Sequence, residues 1–339
     1  MISVRHTALA AAFVMSALPQ VGNSEPGPEA QRLVQQGLAA KELFPGYTDL
    51  CQLDKRIRNV NAPRDRSAQR SATPRKPRKA RPDRQPLAPM QVFDNLYFLG
   101  THSVSAWLYG TPEGYLLIDS LNTDEEAETY ILGGMETLGL DPAAITAILV
   151  THAHGDHYGG ADYLAEKLGV EIMMSRPDWR LAAITPPHPR FGPAPQQGIT
   201  VEDGQELRFG TSSLTVHLTP GHTPGTISPV FAVSDHGEQH HAALWGGTGF
   251  NFGPMPEIFR LYAQSAAKLD RAARAADVDV FLSNHPRRDG SVPLMAELAQ
   301  RAPDAPHPFV LGDKGYALFD MLESCATAQA LRLETASSE

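Results

Sequence analysis

The chain lacks any apolar run of the roughly 20 residues that a bilayer-crossing helix requires, so no retained membrane span is expected in its 339 residues. It has only two cysteines, Cys51 and Cys325, enough for a single internal pair. Neither an internal repeat nor a glycine-rich dinucleotide fingerprint is visible, which argues against a solenoid and against nucleotide-cofactor chemistry. What remains, at 42% hydrophobic content, can bury one large α/β core. One main domain with extensions fits that length better than two domains.

The densest chemical signal is Thr151-His152-Ala153-His154-Gly155-Asp156-His157-Tyr158-Gly159-Gly160, directly after the apolar run Ala147–Val150. Three histidines and an aspartate within six positions are a metal-site pattern. A strand ending in a tight loop can aim His152 and His154 at one ion while Asp156 and His157 reach another. Zinc accepts imidazole nitrogen and carboxylate oxygen at about 2.0–2.2 Å, and a catalytic ion keeps one position open for water. Good helix formers with apolar residues three to four apart predict a helix over Ala161–Leu168. The ligands then lie at the carboxyl end of a strand, where open α/β sheets place their sites.

Two distant segments complete the set. Thr219-Pro220-Gly221-His222-Thr223-Pro224-Gly225 follows the alternating run Leu214–Leu218, and its glycines and prolines hold His222 in a sharp turn. Val278–Leu282 is a short β-branched run that leads into Ser283-Asn284-His285-Pro286. His222 and His285 are therefore candidate third ligands of the two ions. His217, His236, His240, His241 and His307 have no ligand pattern and read as core or solvated residues, and Tyr158 reads as a packing residue.

With these motifs, Phe93-Asp94-Asn95-Leu96-Tyr97-Phe98-Leu99-Gly100 and Gly114-Tyr115-Leu116-Leu117-Ile118-Asp119-Ser120, the stretch from about Met90 to Pro286 resembles the metallo-β-lactamase superfamily, subclass B3 in particular. The resemblance implies an αββα sandwich, with two zinc ions per chain. It places His152, His154 and His222 on one ion and Asp156, His157 and His285 on the other. It makes Asp119 a hydrogen-bonding support behind the metal loop. Several superfamily relatives carry an aspartate bridging both metals, and subclasses B1 and B2 a cysteine near it. Here Leu244-Trp245-Gly246-Gly247-Thr248-Gly249-Phe250-Asn251 contains neither, which favours B3, and Thr248 stands where that subclass commonly has a serine in contact with substrate or with the metal surround.

The reaction implied is opening of a β-lactam ring by zinc-bound hydroxide, with Asp156 holding the nucleophile's proton. A lactonase, or another ester or amide hydrolase on the same scaffold, is the alternative. A non-catalytic, metal-stabilised envelope protein is the reading from another class. Substrate choice is expected in loops: Thr185–Pro195 as a lid with apolar bulk and one cation, and His102 in a loop after the first strand.

The elements expected are strands near 91–99, 105–109 and 115–119, then a helix near 124–138 ahead of the motif. Arg5, the apolar stretch Thr7–Leu18 and small residues through Ser24 read as an export signal over residues 1–24, placing the mature protein in the periplasm or outside the cell. In that oxidising space Cys51 and Cys325 are expected to pair. Residues 25–89 form an N-terminal extension, 90–300 the main domain and 301–339 a helical C-terminal extension. Within Asp54–Pro89, twelve basic residues face three acidic ones, a charge of +9, so the remainder carries −18 of the chain's net −9. Such a segment reads as a solvated linker, or as a weak contact with an anionic envelope surface. The expected partner is a small-molecule substrate, without nucleic acid.

Overall fold

The computed structural model describes residues 26–61 and 85–338. The expected export signal and most of the basic segment lie outside the described residues. Among the described residues, no helix is long and apolar enough to cross a membrane.

Two sheets face each other. The first orders β1 (Met90–Phe93), β2 (Leu96–Gly100), β3 (Ser105–Thr111), β4 (Gly114–Ile118), β5 (Ile145–Leu149), β6 (Glu171–Ser175) and β7 (Ile199–Val201) side by side. The second runs from β12 (Val280–Ser283) through β11 (Glu238–Trp245), β10 (Ile227–Asp235) and β9 (Ser212–Leu218) to β8 (Glu206–Phe209). Phe98, Trp107, Leu116, Ile118 and Leu149 of the first sheet share one buried cluster with Leu214, Val216, Phe231, Leu244 and Leu282 of the second. Alternation sends the other side chains of the first sheet outward, so Leu108, Leu117 and Ile148 meet Ile131, Leu132 and Leu164 of the flanking helical segments. On the far side of the second sheet, Ala243, Trp245 and Phe281 pack with Phe259, Tyr262 and Leu269 of the helix Pro256–Ala275 and with Phe319, Leu322 and Cys325 of the helix Ala317–Ser338. Helices outside two apposed sheets make the expected αββα sandwich.

The helix expected after the metal motif spans Ala161–Leu168 and ends on Gly169 in the left-handed conformation, φ 69°. The helix expected near 124–138 is present, with Thr123 capping it by accepting from the Glu126 amide and with a π-helical stretch Ala127–Leu132 in its middle. The single strand expected near 91–99 is instead the hairpin β1–β2, broken at Asp94-Asn95. Apolar residues on both sides of the turn read as one strand-like stretch in sequence, but Asp and Asn are strong turn formers. Asp94 also accepts from the amides of His236 and Gly237, the two residues of the tight β10–β11 turn, at 3.2 and 3.0 Å. That turn requires positive φ at both positions, 50° and 82°.

The N-terminal segment is packed into the same core. Phe44, Tyr47, Leu50 and Cys51 are buried in the cluster formed by the helices 256–275 and 317–338. Cys51 is disulfide-bonded to Cys325. Gly37 lies so close to both sulfurs that a Cβ there would collide with the Cys325 sulfur, which explains a glycine inside the helix Pro28–Leu38. Asp49 pairs with Arg288, a few residues beyond His285. Because the disulfide spans 274 residues, loop-closure entropy gives it up to about 5 kcal/mol. Replacing both cysteines by serine is expected to lower unfolding stability by about 2–5 kcal/mol, read from urea melts of both proteins with and without reductant. An unchanged midpoint would show that the bond contributes nothing to stability.

Candidate metal centre

Every chemically marked residue sits where a strand ends. Asp119 follows β4, the His152–His157 loop follows β5, His222 follows β9, Thr248 follows β11 and His285 follows β12. The two sheets thus deliver their loops to one edge of the sandwich. A hydrogen bond from Trp107 Nε1 to the Ser283 carbonyl, 2.9 Å, joins the sheets just before His285. Gly221 adopts φ 142°, and a Cβ there would lie 2.8 Å from that of Tyr262, so only glycine lets the chain turn into His222.

The six candidate ligands fall into two trios, His152/His154/His222 and Asp156/His157/His285, each with donor atoms within 4.8 Å of one another. In the first trio, His222 Nε2 lies 3.2 Å from His152 Nε2 and 3.1 Å from His154 Nδ1. Four ligands placed tetrahedrally at zinc–nitrogen bond length are about 3.3 Å apart, so this spacing fits an ion between them.

The opposite ring nitrogens fix the tautomers. A carbonyl or carboxylate can only accept, so His157 Nδ1 donates to Asp119 Oδ2 at 2.7 Å, His222 Nδ1 to the Gly249 carbonyl at 2.7 Å and His285 Nδ1 to the Ser103 carbonyl at 2.7 Å. Each of these rings is left with a bare Nε2. The Thr151 hydroxyl donates to Asp119 at 2.9 Å and faces His152 Nδ1 at 3.1 Å, consistent with the same pattern. His154 is turned the other way, with Nε2 on Asn61 Oδ1 at 2.6 Å. His157 Nε2 is fully buried without a hydrogen-bond partner. A bare, buried, orphaned nitrogen is costly unless something such as a metal occupies it, so the residues present fit the group.

Electrostatics agree. Burial, and then neighbouring imidazoles, hold His152 and His222 well below the ordinary imidazole value. Burial likewise brings His154 and His285 down to about 4, so these rings are neutral at pH 7 and available as ligands. Burial would also lower His157, but Asp119 and Asp156 outweigh it and raise it. Asp156 is held below its usual range, because His157, His285 and His154 overcome the burial that would raise it.

Asp119 is fully buried with φ 65° and accepts from the Thr151 amide at 2.7 Å as well as from Thr151 Oγ1, His157 and Asn284 Nδ2. These contacts place it behind the loop that carries the candidate ligands. Thr248 is buried and lines the cavity over the trios. His102 does not line it among the described residues; its neighbour Ser103 does, and the His102 amide donates instead to the Gln85 carbonyl at 3.1 Å. Of the expected lid, Thr185, Pro186, His188, Arg190 and Phe191 line the cavity. The histidines without a ligand pattern have structural surroundings: His240 pairs with Asp279 at 2.6 Å, and His307 stacks on Phe93 and contacts the Val92 carbonyl. Tyr158 packs against the first sheet as expected, and also reaches the cavity wall.

Several supports escaped the sequence reading. The carbonyls of Ser103 and Gly249 belong to the backbone and carry no side-chain signature. Asn284 Nδ2 reaches Thr151 Oγ1 and the Gly246 carbonyl, both at 2.9 Å. Asp178 ties the two metal loops together, accepting from the Ala153 amide at 2.8 Å, the Thr223 hydroxyl at 2.7 Å and the Gly225 amide at 2.8 Å. In sequence Ser175-Arg176-Pro177-Asp178 reads only as a helix start, and Ser175 does cap that helix.

The family model described as "Metallo-beta-lactamase superfamily" matches residues 99–235 of the chain. Its structure is similar to that of BJP-1, a subclass B3 metallo-β-lactamase of Bradyrhizobium japonicum, with 26% identity, a TM-score of 0.63 and coverage of 76% of this chain and 98% of that one. The native FEZ-1 metallo-β-lactamase of Legionella gormanii shares the fold at 22% identity and a TM-score of 0.61, over 75% of this chain and all of that one. Among curated proteins, a probable metallo-hydrolase of Burkholderia pseudomallei is 33% identical over 44% of this chain and 55% of its own length. A hydroxyacylglutathione hydrolase of Rhodopseudomonas palustris is 32% identical over 32% of this chain and 36% of its own. The chain spans about half or less of the length of these curated relatives.

Replacing Asp178 by alanine strands two buried amides and leaves the Thr223 hydroxyl only Thr226 Oγ1 as a side-chain partner. At about 1–3 kcal/mol for each orphaned amide, a loss of at least about 2 kcal/mol is expected in equilibrium unfolding, with weaker metal retention at both trios. A variant as stable as the parent would mean that the loops do not depend on this carboxylate.

Proposed function

We propose that the chain is a two-zinc hydrolase that opens a β-lactam ring, with His152, His154 and His222 holding one ion and Asp156, His157 and His285 the other. The observation that carries this reading is two separate ligand trios with no carboxylate between them: Leu244–Asn251, where a bridging residue would come, presents Thr248 to the cavity. The similarity to BJP-1 over nearly all of that enzyme supports it.

Zinc bound there supplies Lewis acidity toward a carbonyl oxygen and makes water acidic near neutral pH. The protein's own groups do the rest. Asp156 is ionised and half-exposed at the cavity, positioned to accept the proton of an attacking water and pass it toward the leaving nitrogen. Asp119, Thr151 and Asn284 hold the His157 ring in its tautomer while its neighbours change charge.

The cavity is about 1040 Å³. Ile57, Val60, Ile184 and Phe250 offer apolar wall, and Arg56 and Arg287 stand at its rim. That composition suits a small amphiphile with a carboxylate, which a β-lactam is. The disulfide accords with the periplasmic or secreted location we assign to the mature protein. A second reading, a thioester or lactone hydrolase, is favoured by the curated relatives named hydroxyacylglutathione hydrolases.

The test follows ring opening of a carbapenem and a cephalosporin by ultraviolet absorbance with zinc-loaded protein and a His154→Ala variant. Turnover is expected in the parent and to fall by at least about 100-fold in the variant, as loss of a ligand should cost no less than loss of the group behind one. A parent that binds two zinc ions but leaves both substrates intact overturns the β-lactam reading, and hydrolysis of a thioester or lactone by that preparation selects the second.

A further inference from the structure

Four of the five candidate ligand histidines take the oxygen partner of their outer ring nitrogen from residues 103–249, close to the metal loops. His154 takes its partner from Asn61, on the N-terminal arm and outside the stretch 99–235 that carries the family pattern. The Asn61 amide is oriented without ambiguity. Its Nδ2 donates to the His222 carbonyl at 3.0 Å, and a carbonyl can only accept, so the atom 2.6 Å from His154 Nε2 is the oxygen. His154 must then donate through Nε2, which leaves its Nδ1 as the bare atom facing His222 Nε2.

The arm is held firmly enough to do this. The Val60 amide donates to the Asn251 carbonyl at 2.7 Å, Asn59 bridges to Phe252, and the Gly253 amide donates to the Arg58 carbonyl at 2.9 Å. Asn59 Oδ1 accepts from the Asn61 amide at 3.0 Å, fixing the turn that presents the side chain. Ten residues earlier, the disulfide and the Asp49–Arg288 pair anchor the arm to the main domain.

Resting on the two-zinc reading above, we propose that Asn61 is a positioning residue for the first metal ion: it sets the ring orientation and tautomer of His154, so that the N-terminal arm completes the metal centre. The group bound to a metal-ligating imidazole on its far side makes it a better ligand and fixes its direction, and its loss costs about 10–100-fold in metal affinity.

The experiment is competition of the full-length mature protein with a chelator for zinc and for cobalt, beside Asn61→Ala and Asn61→Asp, with the cobalt visible spectrum as a second readout. Asn61→Ala is expected to weaken one of the two ions by about 10–100-fold and alter its cobalt bands, while Asn61→Asp, which keeps an acceptor for His154, stays within about threefold of the parent. Equal losses in both variants would mean that Asn61 merely docks the arm, and would overturn the proposal, as would an alanine variant that binds both ions like the parent. A parent that binds no ion removes the two-zinc reading and the proposal together. Should the alanine variant fail to fold, long-range proton–nitrogen spectra of the zinc-loaded, histidine-labelled parent decide alone: His154 protonated at Nε2 supports the role, and protonated at Nδ1 refutes it.

Discussion

The arrangement hangs on a single buried carboxylate. Asp119 sits fully enclosed at the end of β4, in a backbone conformation that non-glycine residues seldom adopt, and an ionised group there is tolerable only if its lone pairs are used. They are used by the amide and hydroxyl of Thr151, by His157 and by Asn284. Those four donors come from the ends of β5 and β12 and from the metal loop between them. Satisfying one carboxylate therefore registers the two sheets against each other where the ligands emerge. Asn284 extends the network to the Gly246 carbonyl at the end of β11. Asp178 plays the corresponding part on the other flank, joining the His152–His157 loop to the His222 turn.

A cluster of bare imidazole nitrogens within hydrogen-bonding distance of one another is poor for folding in the absence of a metal. Burial raises the cost of protonating the rings, and neutral rings with lone pairs converging gain nothing from proximity. The fold accepts this because the outer nitrogens are committed first to Asp119, Thr151, Ser103, Gly249 and Asn61. The tautomers are thus chosen by acceptors that the protein supplies, and a bound metal would complete a set already aimed. Such pre-organisation shifts the cost of ordering the ligands from binding to folding. It also explains the many contacts made by the surrounding loops.

The metal trios were legible because the evidence for them is local: four ligand-type residues in six positions after an apolar strand leave little else to consider, and that motif lends meaning to His222 and His285, which alone would be ordinary turn residues. The helix Ala161–Leu168 was legible for a similar reason, since its period and its flanking glycines agree. The sandwich itself came from resemblance, because periodicity assigns faces to strands but does not say which faces meet. The β1–β2 hairpin was missed because apolar residues stand on both sides of its two-residue turn. The supports were missed for a deeper reason. A backbone carbonyl has no letter of its own, Asp178 has the spacing of a helix cap, and Asn61 is separated from its partner by 93 positions. Contacts of that kind exist only once the tertiary fold brings them together.

The candidate ligands and the cavity wall come only partly from the same stretch of this chain. The stretch 99–235 contains five of the six candidate ligands together with Asp119 and Asp178, so a match there reports a metal-loop architecture shared by hydrolases of different substrates. The cavity wall extends beyond that stretch: Ile57, Val60 and Asn61 of the arm, Thr248 and Phe250 after β11, and Arg287 beyond His285 join Ile184, Arg190 and Phe191 from within it. Curated relatives aligned over 32% and 44% of the chain cannot cover the whole of that wall. A solved structure covered over 98% of its length also matches the framework on which the wall segments are mounted. The arm is the part of that wall joined most directly to the candidate ligands, since Asn61 touches His154 and His222 while Val60, the residue before it, lines the cavity. A change in the arm can thus alter substrate fit and metal geometry together, which couples selectivity to catalysis more tightly than a surface loop could.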